Sequence, residues 1–460
     1  MTTKKSKALG SEELRELRDK FSEHMWFPNE TFSAGRNPEQ VNIHVEGEGC
    51  RVTDAEGRSY LDLMSGHMHK NVGHGRKEIA DAAYAQSLVL TSPGNDGFTV
   101  PTINLAAKLA QITPGSLSRT FFACGGSEAN EVAVKIAKHY HRLSGSGNRY
   151  KVIARTPEYH GFTHLTMAMG KPVGWWFTPF EPLVPGMRHI PQPYCYRCPF
   201  ELEYPDCGIV CAKELERVIL HEDPELVAAV AIVAVSQQTA ACVPPPEYFP
   251  MIRSICDKYG VLLIDDEVMC GFGRTGKMFG IEHWGIVPDI MTMAKPFVGG
   301  YFPLSACIST SEISKPFEES DALFPQFATF GGLPACCAAA LANIEIIERE
   351  KLAERATSMG EYFSEKAQTL YEHPMVGDIR GIGLMRAIEL VKDKKTKEEL
   401  TPNECNLLGT KLREAGLLTR LDGGRIRFAP PLIITKDDVD GSIVIMDKVI
   451  GQLEKELLPN

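Results

Sequence analysis

An α/β fold is predicted, with a large domain built on a mostly parallel central sheet and a smaller α+β domain. Three features carry the prediction. From about residue 100, short apolar runs alternate with stretches whose apolar residues recur every three or four positions, the pattern of successive strand–helix–strand units. Runs such as 226–235 are apolar without alternation, which suits strands covered on both faces. Beyond about residue 330 the texture changes to long helical patterns and a few short strands. We therefore expect residues 1–60 to contribute to the small domain, 61–330 to form the large one, and 331–460 to complete the small one.

In chain order, VNIHVEGEGCRVTDAEGRSYLDL reads as a hairpin turning at Ala55-Glu56-Gly57-Arg58. RTFFAC (119–124) reads as a strand. The segment after it places Ala129, Val132, Ala133, Ile136, Ala137 and Tyr140 on one helical face. KVIART (151–156) is the next strand, followed to about residue 212 by an irregular stretch rich in Pro, Trp and Cys. LVAAVAIVAV (226–235), VLLIDD (261–266), DIMTMAK (289–295) and LSACIST (304–310) continue the sheet, with a helix stopped by Gly260 between the first two. ACCAAALANIEIIEREKLAERATSMGEYFSEKAQTLYEH (335–373) reads as one long helix, and IRGIGLMRAIELV and RIRFAPPLIIT as strands closed by the amphipathic VIGQLEKELL.

The 460 residues carry 49 Lys and Arg against 59 Asp and Glu, a net charge of −10, so nucleic acid and anionic membranes are not expected partners. No segment approaches 18 uninterrupted apolar residues, and the charged opening MTTKKSKALGSEELRELRDK lacks the apolar core of a secretory signal. A cytoplasmic protein with a frayed N-terminus is expected. Most of the 13 cysteines lie in apolar segments where a reduced thiol packs as a small hydrophobe, which argues against a disulfide scaffold. Cys195, Cys198, Cys207 and Cys211 have a spacing compatible with a four-thiolate zinc knuckle or with free thiols on a long loop, and no metal is assigned to them.

Ligands of open parallel sheets sit outside the carboxyl ends of the strands, so motifs there weigh most. Four occur. Gly125-Gly126-Ser127 joins a strand to a helix, where backbone N–H groups can approach an anion such as phosphate; a plain structural turn would use the same residues. Lys295 ends an apolar strand, where burial would lower its pKa and make its amine nucleophilic, unless it simply emerges there. Asp265, Asp266 and Glu267 end another strand, and in an extended chain Asp266 points away from the other two, so a single site can face only one set. Tyr159-His160 follows KVIART, where an aromatic side chain can stack on a flat ring or merely pack.

GGSEAN, DDEVMCGFGRTG, the Lys295 strand, TFGG before Pro334, and RFAPPL closely resemble the class III aminotransferases, pyridoxal 5′-phosphate enzymes of fold type I, in order and spacing from about residue 40 to the C-terminus. The resemblance implies that Lys295 bonds the cofactor aldehyde and that Asp266 pairs with the pyridine nitrogen. It places Val268 and Tyr159 on opposite faces of the ring, with His160 beside the latter. Gly125, Gly126 and Ser127 would hold the phosphate, and Thr329 would reach it from the other subunit, which makes the protein a homodimer or a dimer of dimers with shared sites. Asp265, at a place commonly alanine, and Glu267 would be structural, the latter in local salt bridges.

The resemblance further implies two half-reactions with ping-pong kinetics, from a small-molecule amino donor to a keto acid. Arg420 lies in the register of the mobile arginine of ω-amino acid and amine:pyruvate transaminases, and Arg427 matches an arginine that takes an α-carboxylate in other members. YCYRCPF and VPPPEYFP resemble the subgroup acting on taurine, β-alanine and other ω-amino donors, usually with pyruvate. There are departures: Val233 and Ala234 stand where Glu-Pro is frequent, Met68 where a substrate-side tryptophan is common, Pro296 where glycine is usual, and Leu333 where histidine is usual. A racemase, aminomutase or decarboxylase on the same fold, or a catalytically silent binding protein, are the alternatives.

Overall fold

The computed structural model describes residues 8–26, 41–94, 97–171 and 177–458; of the N-terminal stretch expected to fray, residues 1–7 lie outside them and Ser11–His24 forms a helix. Strands β1 (His44–Glu48), β2 (Arg51–Asp54) and β3 (Ser59–Asp62) form a meander, with the expected turn at 55–58 between the second and third. Seven strands build the central sheet: β4 (Leu117–Ala123), β5 (Lys151–Thr156), β6 (Met187–Pro191), β7 (Val227–Ile232), β8 (Leu262–Asp266), β9 (Ile290–Met293) and β10 (Ser305–Thr310), in the order β4-β10-β9-β8-β7-β5-β6. All neighbours pair in parallel except β10, which is antiparallel to β4 and β9. The carboxyl ends of β4, β5, β7, β8 and β9 therefore share one edge, and every motif singled out above at a strand end lies along it.

β7 and β8 are buried throughout, as their unalternated Val, Ala, Leu and Ile content requires. The helix Gly126–Leu143 buries Ala129, Val132, Ala133 and Ala137 against the sheet, with Ile136 and Tyr140 packed at the margin of the same cluster. The C-terminal part adds the sheet β11 (Val376–Ile382), β12 (Met385–Leu390), β14 (Leu421–Asp422) and β15 (Arg425–Phe428), ordered β11-β12-β15-β14. Between them in the chain, β13 (Leu417–Leu418) instead pairs in parallel with β3, joining the N-terminal meander to the C-terminal region.

Three expectations are corrected. The long helix over 335–373 is two helices, Pro334–Arg349 and Leu352–Ala367, broken where Lys351 takes a left-handed φ of 50°, and then a 3₁₀ turn. The strand expected over 226–235 stops at Ile232, and the chain then turns back through a bridge between Ser236 and Cys242. The irregular stretch before residue 212 contains a strand, β6, and the helix His164–Gly170.

Arg274 of GFGRTG is fully buried and donates to the carbonyls of Leu384 (3.0 Å) and Pro430 (2.6 Å), to Ser65 Oγ (3.0 Å) and to Asn71 Oδ1 (2.6 Å). One guanidinium thus pins the loop after β8 to three distant segments. Gly383 must be glycine for this closure, because a Cβ there would lie 2.3 Å from the Thr275 carbonyl carbon.

Candidate active site

The helix Gly126–Leu143 starts at the end of β4 with no side chain capping its N-terminus, so the first-turn N–H groups have no intrahelical acceptor. Space beside Gly125 is open: a Cβ there would meet nothing within 4 Å. Ser127 Oγ accepts the Phe162 N–H at 3.1 Å, which ties this turn to the segment following β5. This end of the helix fits an anion.

Gly126 faces Val268, whose methyls lie 3.0 and 3.1 Å from where a Gly126 Cβ would stand. Across from it, Lys295 Nζ lies 5.7 Å from the centroid of the Tyr159 ring. Lys295 opens a 3₁₀ turn after β9 with φ 45°, a left-handed conformation that turns the chain off the strand end. Its pKa is pushed down to about 8, first by burial and then by Arg420 and Arg427, with Asp266 opposing. Acylation of Lys295 in the apoenzyme is accordingly expected to accelerate as pH rises through about 8 rather than through the usual lysine range. Competitive labelling read by peptide mass spectrometry checks this, and a midpoint near 10.5 would contradict it.

Asp266 sits at the floor. Its Oδ2 accepts from Asn130 Nδ2 at 2.7 Å and lies 2.8 Å from His160 Nδ1, while Oδ1 accepts the Val268 N–H at 3.0 Å. Asn130 also donates to the His160 carbonyl (2.9 Å) and accepts from Thr292 Oγ1 (2.8 Å). Asn130 and Thr292 were missed in the sequence, although Asn130 belongs to GGSEAN and is a polar residue among the apolar ones that the helix buries, a usable signal.

Asp265 and Glu267 lie on the other side of β8, as the alternation of an extended chain requires. Glu267 forms no ion pair among the described residues, which corrects the expected salt bridges; it accepts the Ile281 N–H at 2.8 Å. Burial, followed by the proximity of Glu267, raises the Asp265 carboxyl well above its usual value. Burial also lifts Glu267, to about 7, against the backbone N–H groups that favour its charged form.

On the substrate side, Met68 is buried, 2% exposed, and packs in the main core cluster that also holds Val268. Ser65, Gly66 and Met68 all have positive φ (43°, 69° and 61°), which kinks the chain beside His67 and His69. Burial, then the charges of Lys295 and Arg420, lower the pKa of His67. Burial, with Lys70, His67 and Lys295, pushes His69 down to about 4. Both shifts favour the neutral ring at pH 7.

Arg420 and Arg427 approach from the β14–β15 region. Arg427 donates to Asp422 Oδ2 at 2.8 Å and its N–H bonds the Arg420 carbonyl at 3.3 Å. Burial lowers the Arg427 pKa to about 10, against the pull of Asp422. Nearby, a cavity of about 290 Å³ opens between Thr156, Gln192, Tyr194, Arg197, Asp422 and Arg425. Thr329 stands apart, exposed in a surface segment joined to the helix Val100–Ile112 by Thr102 Oγ1 donating to the Gly332 carbonyl at 2.9 Å. Val233 and Ala234 are buried in the main core, Pro296 is buried in the turn after Lys295, and Leu333 is the residue preceding a helix.

Cys195, Cys198, Cys207 and Cys211 line one small cavity, and among the described residues no group of three or more His, Cys, Asp or Glu is placed to hold a metal ion. No helix of the described residues is long and apolar enough to cross a membrane.

A helix end open to an anion, an amine with a lowered pKa beside the Tyr159 ring, and a tethered carboxylate form a set that fits pyridoxal phosphate. The comparisons with known proteins agree. The family model for class-III aminotransferases matches residues 32–450. The taurine–pyruvate aminotransferase of Bilophila wadsworthia is 40% identical over 434 residues, covering 90% of this chain and 93% of that one. The putrescine–pyruvate aminotransferase of Pseudomonas aeruginosa is 34% identical over 429 residues, covering 92% and 93%. The ω-transaminase of Pseudomonas jessenii in complex with PMP superposes with a TM-score of 0.91 at 32% identity, covering 96% and 99%. The chain is a fold type I protein that belongs to the class-III aminotransferases, enzymes dependent on pyridoxal 5′-phosphate.

Proposed function

We propose that this aminotransferase takes its amino group from an ω-amino acid or an amine and passes it to a keto acid, with pyruvate as acceptor. The observation that carries the reading is the pair Arg420 and Arg427, both near enough to Lys295 to depress its pKa. They supply cationic hydrogen-bond donors for a carboxylate at the site of the reacting amine. The two curated relatives are named for pyruvate, one with taurine and one with putrescine, which supports both the acceptor and an amine carried away from any α-carbon.

In this reading the Lys295 Nζ would hold the cofactor, and as a free amine it would take the proton from the donor carbon and later return it. Bound pyridoxal phosphate supplies the sink for the electron pair left on that carbon. Asp266, fixed by Asn130 and His160, offers its carboxylate to the ring nitrogen, and Tyr159 and Val268 confine the ring. Gly125, Gly126 and Ser127 present the N–H groups for the phosphate.

The experiment is a donor panel of taurine, β-alanine, 4-aminobutyrate, a diamine and a neutral arylalkylamine, each with pyruvate and with 2-oxoglutarate, read as alanine or glutamate formed. Alanine from the ω-amino donors is expected. In Arg420→Ala, kcat/KM for β-alanine is expected to fall about 10- to 100-fold while that for the neutral amine changes little. Equal losses on both, or glutamate as the main product, would contradict the reading.

The protein in this reading is a homodimer. Tyr84, Leu88, Phe98, Ile103, Phe327 and Phe330 are large exposed apolar side chains, and the last two flank Thr329 in the chain. Covering that surface with a second copy would bring Thr329 to the partner's site. Sedimentation as a monomer at micromolar concentration would refute it.

A further inference from the structure

We propose that Glu389 is a positioning residue for carboxylate recognition, anchoring the β14–β15 hairpin from which Arg420 and Arg427 reach the cleft. The inference rests on the reading that these arginines receive the substrate carboxylate.

Glu389 lies on β12 with its side chain 0% exposed. Its carboxylate accepts from the Tyr194 hydroxyl, and it lies 2.5 Å from Arg197 Nε, 2.8 Å from Arg380 Nη1 and 3.3 Å from Arg425 Nε. Burial alone would raise its pKa, but Arg380 and Arg425, then Tyr194 and Arg197, hold it down at about 2. The partners come from three places: the loop after β6, the neighbouring strand β11, and β15. Arg380 continues outward to the carbonyls of Thr239 and Ala240, each at 2.9 Å, in the segment following β7. A single buried charge therefore locks the small sheet to the carboxyl edge of the large one.

The hairpin needs that lock. β14 has two residues and turns into β15 through Gly423 and Gly424, both at positive φ, so few ladder bonds hold it. Arg425 is its tie to the interior. Its Cα pairs with Glu389 on one side and with Asp422 on the other, and Asp422 is the carboxylate that orients Arg427. Loosening Arg425 frees Asp422, and with it the direction of Arg427 and the chain at Arg420.

The test uses holoenzyme variants Glu389→Gln and Arg425→Gln, with Arg427→Gln as reference. Arg425→Gln leaves Glu389 paired with Arg197 and Arg380 while removing its tie to β15, together with the Arg425–Glu399 ion pair, and remains informative if Glu389→Gln does not fold. Two readouts are taken: each half-reaction with β-alanine or a neutral arylalkylamine, and the calorimetric Kd of propanoate, which carries no amine to react. Both variants are expected to weaken propanoate binding and raise KM for β-alanine about tenfold, with the neutral amine changed less than about twofold. If Arg427→Gln weakens propanoate but the other two variants do not, the inference is overturned. Losses of equal size on both donors would reduce Glu389 to a general stabiliser and also overturn it. If Arg427→Gln and Arg420→Ala both leave propanoate binding intact, the carboxylate reading itself is what fails.

Discussion

Lys295→Ala is expected to lower kcat for transamination by at least about 10⁴-fold, because in the proposed function one side chain serves as both nucleophile and proton carrier. Three features equip it for the two tasks. Its pKa near 8 leaves roughly a tenth of the amine free at pH 7, far more than an ordinary lysine would have. Its left-handed backbone turns it off the strand end and towards the Tyr159 ring. Its cationic neighbours Arg420 and Arg427 disfavour the protonated form. The substitution removes a half-buried amine at a turn and leaves the hydrogen bonds of Asp266 in place, so the melting temperature should change little. Steady-state rates, with added methylamine as a partial rescue, check the prediction; a loss under tenfold would place the proton transfer elsewhere.

Asp266→Asn is expected to lower kcat by about 10² to 10⁴-fold while leaving the protein folded. The carboxylate receives two donors on one oxygen and one on the other, so the surroundings are arranged for a negative group with no competing acceptor. An amide of the same shape keeps one acceptor, turns its NH₂ towards donors already in place, and cannot balance a protonated ring nitrogen. Absorbance of the loaded variant and single-turnover rates with a good donor read the effect. A variant as fast as the parent would assign the ring nitrogen to another partner.

Much of the site was legible because its pieces sit at the ends of apolar strands, where local sequence alone places a side chain at the ligand edge. Gly125 to Ser127, Tyr159, Asp266 and Lys295 follow from that rule, and the opposed directions of Asp265 and Asp266 follow from strand alternation. The backbone around Met68 did not follow, because simple periodicity fails where three residues out of four, Ser65, Gly66 and Met68, take positive φ. The break at Lys351 was hidden for the same reason: its left-handed turn leaves the apolar spacing of both flanking helices intact.

The remaining gaps are contacts between residues far apart in the chain. Arg274 was read as part of a motif, but its acceptors at Ser65, Asn71, Leu384 and Pro430 could be known only from the fold. The cluster around Glu389 gathers Tyr194, Arg197, Arg380 and Arg425 from separate segments with no shared pattern. Long-range polar networks leave almost no local periodic trace, and these two fix where the small sheet meets the cleft.

The most direct measurement is borohydride reduction of freshly reconstituted enzyme followed by peptide mapping. A single phosphopyridoxyl group on the peptide containing Lys295, lost in Lys295→Ala, is the predicted result. A label on any other lysine, or none on a fully loaded preparation, would contradict the account.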